Sequence, residues 1–489
     1  MNDSPLGDMP PDEFREYGHQ LIDWIADYLK NTDRYPVLSK VEPGELKAKI
    51  PNSPPDQGEP MDQILKDFEE TILPGITHWN HPSFFSYFSI TGSGPGILGE
   101  LLCSALNVNA MLWKTSPAAT ELEEATLDWF RQMLGLPEEF WGIIYDTASI
   151  STLHAIAAAR EAVPGLSARE EGLGASQSRL RMYTSEHSHS SVEKAAITLG
   201  IGMNGVKKIQ VDSGFRMDPK ALETAIRKDL ERGWLPFCVV ATVGTTSTTS
   251  VDPVTEIARI SKQFNLWLHV DAAYAGPAAI LPEMRWILEG CELADSIVTN
   301  PHKWLFTPID LSAFFCRKPE IVKKAFTLVP EYLKTSVDDN VTNFMDYGVQ
   351  LGRRFRALKL WMVIRYFGRE GLAERIRQHL SWAQEFAGKI DASPKFQRMA
   401  PTPFSTICFR AVPETMATAD AELTDQLNAA LLDAVNKTGE TFLSHTKLND
   451  RFTLRLAIGN LKTREEHLER TWELLQRELD RLEEAGTNH

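Results

Sequence analysis

Between residues 12 and 30 the apolar side chains Phe14, Tyr17, Leu21, Trp24, Ile25 and Tyr28 recur at helical spacing. That period predicts an amphipathic helix with one apolar stripe. The chain around it offers little to cover the stripe, because PNSPPDQGEP at 51–60 is too rich in proline and polar groups for a helix or strand. A second amphipathic segment follows at 61–73. A helical unit over residues 1–85 without its own core is expected to lean on another surface, such as a second subunit.

The pattern changes over residues 86–372. FCVVATVG at 237–244, LWLHVD at 266–271 and SIVTN at 296–300 read as strands buried on both faces, with a helical pattern at 253–264 between them. Such alternation predicts an α/β fold with a largely parallel central sheet covered by helices. Ligands in these sheets gather at the carboxyl ends of the strands, which here read GTT, HVDAAYAG and NPHKW. The remaining unit, 373–489, reads as a small α+β domain. Its strands are FSTICFR and FTLRLAI, and its closing helix opens at Thr463 with the capping-box pattern Thr463-x-x-Glu466. The stripe Leu468, Trp472, Leu475, Leu479 and Leu482 is expected to be buried.

Composition narrows the partners. The 489 residues are 43% hydrophobic and 24% charged, with a net charge of −15. An acidic chain without a basic run is a poor partner for nucleic acid or anionic lipid. Five widely spaced cysteines, Cys103, Cys238, Cys291, Cys316 and Cys408, read as reduced, buried thiols. MNDSPLGDMPPDEFREYG at the start lacks the apolar core of a signal peptide, so the cytoplasm is the expected compartment.

Against this background a few residues stand out. Asp271 ends an apolar strand, where it either caps a turn or serves as a buried carboxylate that needs a cation or several donors. Lys303 sits at the next predicted strand end, where partial desolvation would lower its pKa and favour Schiff-base chemistry. Together they match pyridoxal phosphate, whose ring nitrogen and aldehyde need opposite anchors. In IIYDTASISTLHAIAAAR, 143–160, a strand runs through hydroxyl residues into an alanine-rich helix. Backbone N–H groups there, with the hydroxyls of Thr147 and Ser149, could hold a dianion or could be an ordinary helix cap. His187 and His189 lack a third ligand at suitable spacing, so no metal site is expected; an imidazole stacked on a cofactor ring, or a helix-capping serine cluster, fits the stretch better.

Taken in order, VEPGELKAKIP, ILPGITHWNHPSFFSYF, WKTSPAATELE, HSSVEKA, ATVGTTSTTSVDP, LHVDAAYAG, NPHKW, PEYLK and LGRRFRALKLW resemble the group II pyridoxal-phosphate-dependent decarboxylases, in particular the aromatic-L-amino-acid decarboxylases. The resemblance runs over nearly the whole chain. It implies the fold type I (aspartate-aminotransferase-like) architecture, pyridoxal 5'-phosphate as cofactor, and a homodimer with active sites at the interface. Lys303 resembles the lysine that joins the cofactor aldehyde, Asp271 the partner of the ring nitrogen, and His189 the histidine stacked on the ring. Ala273 and Thr246 match residues beside the cofactor, while Ala148, Ser149, Asn300 and His302 match the phosphate-binding group. Tyr332 resembles the tyrosine that protonates Cα after CO2 leaves. Relatives that make aldehydes oxidatively often carry phenylalanine there, so the resemblance favours simple decarboxylation to an arylalkylamine.

Trp79, Tyr87, Phe88, Ser89 and Ile90 match the family's aromatic-binding wall, and Asn109 and Met111 match residues contributed across the dimer. Gly352 goes with room for an indole, which favours tryptophan over phenylalanine, tyrosine or DOPA. The chain departs from the family at Asp146, Ser89-Ile90, Met111 and Ile309. Asp146 replaces part of a common Gly-Ser-Ala-Ser-Glu cradle and is expected to point away from a phosphate as the helix cap. The alternatives are an aromatic aldehyde synthase and a non-catalytic binding protein of the same fold. A glutamate decarboxylase is disfavoured, because a charge-poor aromatic wall offers a γ-carboxylate no partner.

Overall fold

The structure, a computed structural model, describes residues 7–175, 179–328, 341–414 and 421–486. Seven strands form the larger sheet: β1 (Trp141–Tyr145), β2 (Arg179–Ser185), β3 (Val206–Ile209), β4 (Trp234–Thr242), β5 (Trp267–Asp271), β6 (Ser296–Thr299) and β7 (Ser312–Cys316), in the order β1-β7-β6-β5-β4-β2-β3. β7 runs antiparallel to both its neighbours, and the other pairs are parallel. The apolar runs read from the sequence are the central strands β4, β5 and β6. They lack polar alternation because both faces are covered. Along β4, Val239 and Ala241 enter one apolar layer with the helices Pro117–Leu134, Pro219–Glu231 and Val254–Gln263, while Cys238 and Val240 enter another with Ala148–Glu161 and Ser191–Thr198. The period of two survives, but both phases are apolar.

The smaller sheet holds β8 (Phe396–Arg398), β9 (Thr406–Ala411), β10 (Ser444–Leu448) and β11 (Arg451–Ala457), antiparallel in the order β10-β11-β9-β8. A long helix, Ala357–Ala392, links the two units and breaks at Gly368, whose φ of 66° is left-handed. Residues 84–85 join the second unit: Phe85 N–H donates to the Phe442 carbonyl at 3.0 Å, and Ala457 N–H donates to the Phe85 carbonyl at 2.9 Å. This anchoring carries the aromatic stretch 79–90 to the carboxyl edge of the larger sheet.

The first helix, Pro11–Lys30, buries none of its residues. Its Trp24 meets Phe68 at 5.3 Å, and the expected segment 61–73 is a helix, Met61–Asp67, followed by a wider turn, Phe68–Ile72. The last helix starts at Glu465 and not at Thr463. Thr463 does not cap it, because its hydroxyl donates to the Pro82 carbonyl at 2.6 Å. His467 instead accepts the Arg464 N–H at 3.0 Å, which moves the reciprocal half of the capping box by one residue. Leu468, Leu475 and Leu479 are buried, with Trp472 and Leu482 at the margin of the same cluster. All five cysteines are buried and unpaired. Among the described residues no helix is long and apolar enough to cross a membrane.

Candidate active site

A cleft of about 560 Å³ opens at the carboxyl ends of β4, β5 and β6 and is closed from the other side by β10 and β11. β5 delivers Asp271, a buried carboxylate whose Oδ1 accepts the Ala273 N–H at 3.0 Å. That single donor leaves most of its capacity unspent, and among the described residues no ion pair neutralises it. β6 ends at Thr299, and the chain turns through a short helix, Pro301–Trp304. Lys303 therefore sits on a helical turn beyond the strand, not on the strand end itself. Burial pushes its ammonium pKa down, opposed by the Asp271 carboxylate and reinforced by the Arg455 guanidinium. A desolvated amine with a lowered pKa is a better nucleophile at neutral pH.

The turn also positions His302. Its Nδ1 accepts the Leu311 N–H at 2.9 Å, so the ring proton lies on Nε2, 3.3 Å from Asn300 Nδ2; the Nε2–H finds an acceptor there once the Asn300 amide is turned to present Oδ1, which leaves the NH2 group for a ligand. Burial lowers the His302 pKa to about 3, which makes it a neutral donor. Asn300 Oδ1 is buried without a partner, and both side chains line the cleft. His189 lines the cleft as well, its Nδ1 2.9 Å from the Ser191 hydroxyl, and burial lowers its pKa. It presents a neutral, fixed ring. His187 packs edge-on against Phe215 at 5.4 Å and is absent from the cleft wall.

The start of the helix Ala148–Glu161 brings Thr147, Ala148 and Ser149 to the wall. Ala148 and Ser149 are the first two helical residues, so their N–H groups have no intrahelical acceptor. Thr147 differs from expectation. Its N–H and hydroxyl both donate to Asp146 Oδ1, the latter at 2.9 Å. Those donors are spent, so the cradle reduces to the two backbone amides, the Ser149 hydroxyl, Asn300 and His302. Asp146 is not the N-cap residue; Thr147 is. Gly244, at the exit of β4, has φ of 89°, and a Cβ there would meet Ala275 Cβ at 2.6 Å, so only glycine lets the β4 and β5 exits lie this close. Thr246 and Ala273 complete this side of the cleft.

Trp79, Tyr87, Phe88 and Ile90 line the opposite wall. Trp79 stacks on Tyr87 at 5.8 Å, and Phe88 stacks on Tyr274 at 3.8 Å. Ser89 is a correction: it is buried, turned from the cleft toward the Phe84 carbonyl at 3.4 Å and packed against the backbone at Gly459. Asn109, Met111 and Gly352 are likewise absent from this wall. They gather with one another: Asn109 Nδ2 lies 3.4 Å from Met111 Sδ, and Asn109 Oδ1 accepts the Arg353 N–H at 2.9 Å. Tyr332 lies outside the described residues.

Sequence reasoning missed Arg455. It projects from β11 into the cleft, buried, with its Cζ 4.5 Å from the Phe88 ring centroid. Its Nε donates to the Ser247 carbonyl at 3.0 Å and Nη1 to the Tyr87 carbonyl, while Nη2 is buried without a partner. Among the described residues it has no carboxylate partner. The signal was present in FTLRLAI, where one arginine interrupts an apolar strand. Ser444, His445 and Thr446 of β10 also line the cleft and carried no signal of their own.

One cleft thus offers neutral and backbone donors for a dianion, an unneutralised carboxylate, a desolvated amine, a flat neutral imidazole and a guanidinium with a free N–H edge. These groups suit pyridoxal phosphate together with a substrate carboxylate. Among the described residues no three His, Cys, Asp or Glu side chains gather as metal ligands would.

Comparison with known proteins agrees with this arrangement. Residues 43–412 match the pyridoxal-dependent decarboxylase conserved domain. The chain is 41% identical to a phenylacetaldehyde synthase of Arabidopsis thaliana, over 98% of each chain. It is 40% identical to tyrosine decarboxylase 4 of Petroselinum crispum, over 99% of this chain and 96% of that one. A crystal structure of Oryza sativa TDC with PLP and tryptamine superposes with a TM-score of 0.94 at 38% identity, covering 98% of this chain and 99% of that one.

Proposed function

Because the chain belongs to the pyridoxal-dependent decarboxylase family, we propose that it converts an aromatic L-amino acid to the arylalkylamine and CO2. The observation that carries this reading is the meeting of Lys303, Asp271 and Arg455, whose Nη2 has no partner among the described residues, in one aromatic-walled cleft. Bound pyridoxal phosphate supplies the electron sink that takes up the pair left on Cα when CO2 departs. Ala148, Ser149, Asn300 and His302 hold its phosphate, and Lys303 offers the amine for its aldehyde. Asp271, the carboxylate that lines this cleft among the described residues, would keep the ring nitrogen protonated. His189 covers a ring face as a neutral group, and Ala273 and Thr246 pack beside it.

Arg455 holds the substrate α-carboxylate through Nη2 until the bond to Cα breaks. Leaving CO2 is neutral, so a guanidinium there stabilises the bound acid more than the product. Trp79, Tyr87, Phe88 and Ile90 exclude water and receive the aromatic ring. Tyr332 is the proposed donor of the proton that Cα takes up. Tryptophan is the favoured substrate, because glycine at position 352 goes in the family with room for an indole; phenylalanine, tyrosine and DOPA are the alternatives.

Asn109, Met111 and Gly352 reach a cleft only if a second copy supplies them. A homodimer is therefore part of the proposal, formed through the exposed leucines of the helix Gly94–Leu106 and the uncovered helix Pro11–Lys30. Five buried, unpaired thiols suit a reducing compartment such as the cytoplasm.

The test is a panel of L-amino acids with CO2, amine, aldehyde, peroxide and ammonia measured together. Amine and CO2 in equal amounts from an aromatic substrate support the proposal. A second reading, oxidative conversion by O2 to the aldehyde, is favoured by the Arabidopsis relative's name. Aldehyde with peroxide and ammonia in place of amine would establish it instead. A Tyr332→Phe variant that still forms amine at the parental rate would remove Tyr332 from the mechanism.

A further inference from the structure

Asp146 ends the turn between β1 and the helix Ala148–Glu161, two residues before that helix begins. Its Oδ1 accepts from the Thr147 N–H and hydroxyl, and its Oδ2 accepts from Gln350 Nε2 at 2.8 Å. Among the described residues it has no ion pair. Its charge is therefore balanced only by backbone and side-chain dipoles, the positive end of the helix foremost. The same helix start brings Ala148 and Ser149, whose N–H groups have no intrahelical acceptor, to the wall of the cleft. Two anions, the carboxylate and the cofactor phosphate, then compete for one helix N-terminus. The carboxylate also removes both Thr147 donors from the cradle.

Resting on the pyridoxal phosphate reading of this cleft, we propose that Asp146 is a positioning residue that holds the empty cradle in shape and weakens its grip on the cofactor phosphate. Without a phosphate, the carboxylate satisfies Thr147, favours the helix start and ties it to Gln350. With a phosphate, the same charge repels the ligand. The segment 347–350 does not depend on this tether alone. The Tyr145 hydroxyl donates to the Tyr347 carbonyl, and Val349 N–H donates to His154 Nε2 at 3.2 Å. Removing the charge therefore leaves this segment in place. An asparagine at 146 keeps an oxygen for Thr147 and can turn its amide to Gln350, so D146N isolates charge from shape.

The experiment titrates the apo forms of the parent, D146N and D146S with pyridoxal phosphate and with pyridoxal, following cofactor absorbance, and records apo melting temperatures. In D146N the dissociation constant for pyridoxal phosphate falls roughly three- to tenfold. That for pyridoxal, which lacks the phosphate, stays within about twofold, and apo Tm drops by roughly 1–2 °C. Loss of structure alone would loosen both ligands, so selective tightening is the signature. Unchanged or weaker pyridoxal phosphate binding in a folded variant overturns the proposal, as does an equal shift for pyridoxal. If D146N does not fold, D146S provides the same reading; if neither folds, the carboxylate is a requirement of the fold and the proposal fails. A parent that binds no pyridoxal phosphate defeats the cofactor reading itself.

Discussion

Lys303 and Arg455 are two cations set against one aromatic ring, with Nζ 5.3 Å and Cζ 4.5 Å from the Phe88 centroid. Among the described residues neither has an ion pair, so each holds its charge at a cost that burial raises. For Lys303 the cost lowers the pKa and yields a nucleophile. A guanidinium cannot give up its proton at working pH, so Arg455 relieves the cost by binding an anion. Replacing Arg455 by Gln keeps a donor but removes the charge, and kcat/KM for decarboxylation is expected to fall by roughly 10- to 100-fold, the worth of a charge-assisted hydrogen bond. Cofactor absorbance should persist in the same variant, which separates a substrate contact from a collapsed site. Undiminished kcat/KM would show that the α-carboxylate binds elsewhere. Lys303, Asp271 and His189 were legible because each breaks an apolar or small-residue stretch; Arg455 does so too, but its meaning depends on Ser247 and Tyr87, far away in sequence.

At the scale of elements, local pattern identified the central strands because burial on both faces leaves an unbroken apolar run. What it could not identify were features set by distant partners. Ser89 reads as a wall residue from its neighbours, yet Gly459 draws it inward. Thr463 reads as a cap, yet the Pro82 carbonyl takes its hydroxyl. The last helix is consequently capped through His467, and stability should follow that bond. His467→Ala is expected to cost about 1 kcal/mol at neutral pH, within the usual range for lost caps. Glu466→Ala, at the position the capping-box pattern marks, should change stability by less than about 0.5 kcal/mol, as exposed substitutions do. Denaturant midpoints of the two variants check this, and a reversed order would restore the box at Thr463.

For the whole molecule, two expectations concern assembly and acid. Leu98, Leu101, Leu102 and Leu106 are each about half exposed on one helix, next to the Asn109–Met111 group, which is not among the described residues that line the active-site cleft of its own chain. If the proposed homodimer forms through this face, Leu98→Glu with Leu102→Glu is expected to halve the mass seen by light scattering and to abolish activity while each protomer stays folded; a parental dimer whose mass is unchanged in the variant would move the interface elsewhere. Acid acts through buried imidazoles. Burial lowers the pKa of His81, His269 and His379 to about 4 and of His154 and His302 to about 3. Each is neutral in the fold, whereas in the unfolded chain it binds a proton near its ordinary pKa of about 6.5. Between these values the unfolded state carries more protons, so stability rises with pH there and falls as pH drops. The contribution is complete above about pH 6.5 and is lost progressively toward pH 4 for His81, His269 and His379 and toward pH 3 for His154 and His302, each histidine adding up to about 1.4 kcal/mol per pH unit. Urea midpoints should therefore be flat from pH 7 to 8 and decline steeply from pH 6 to 5. His379 bridges Trp304 Nε1 and the Asn460 carbonyl, at 3.0 and 3.1 Å, directly behind the Lys303 turn. Its protonation in the fold, near pH 4, would set a second donor against the Trp304 N–H and disturb that turn, so cofactor release from folded protein should set in near pH 4, below the onset of the stability decline; release only with full unfolding would assign the acid sensitivity to the other histidines.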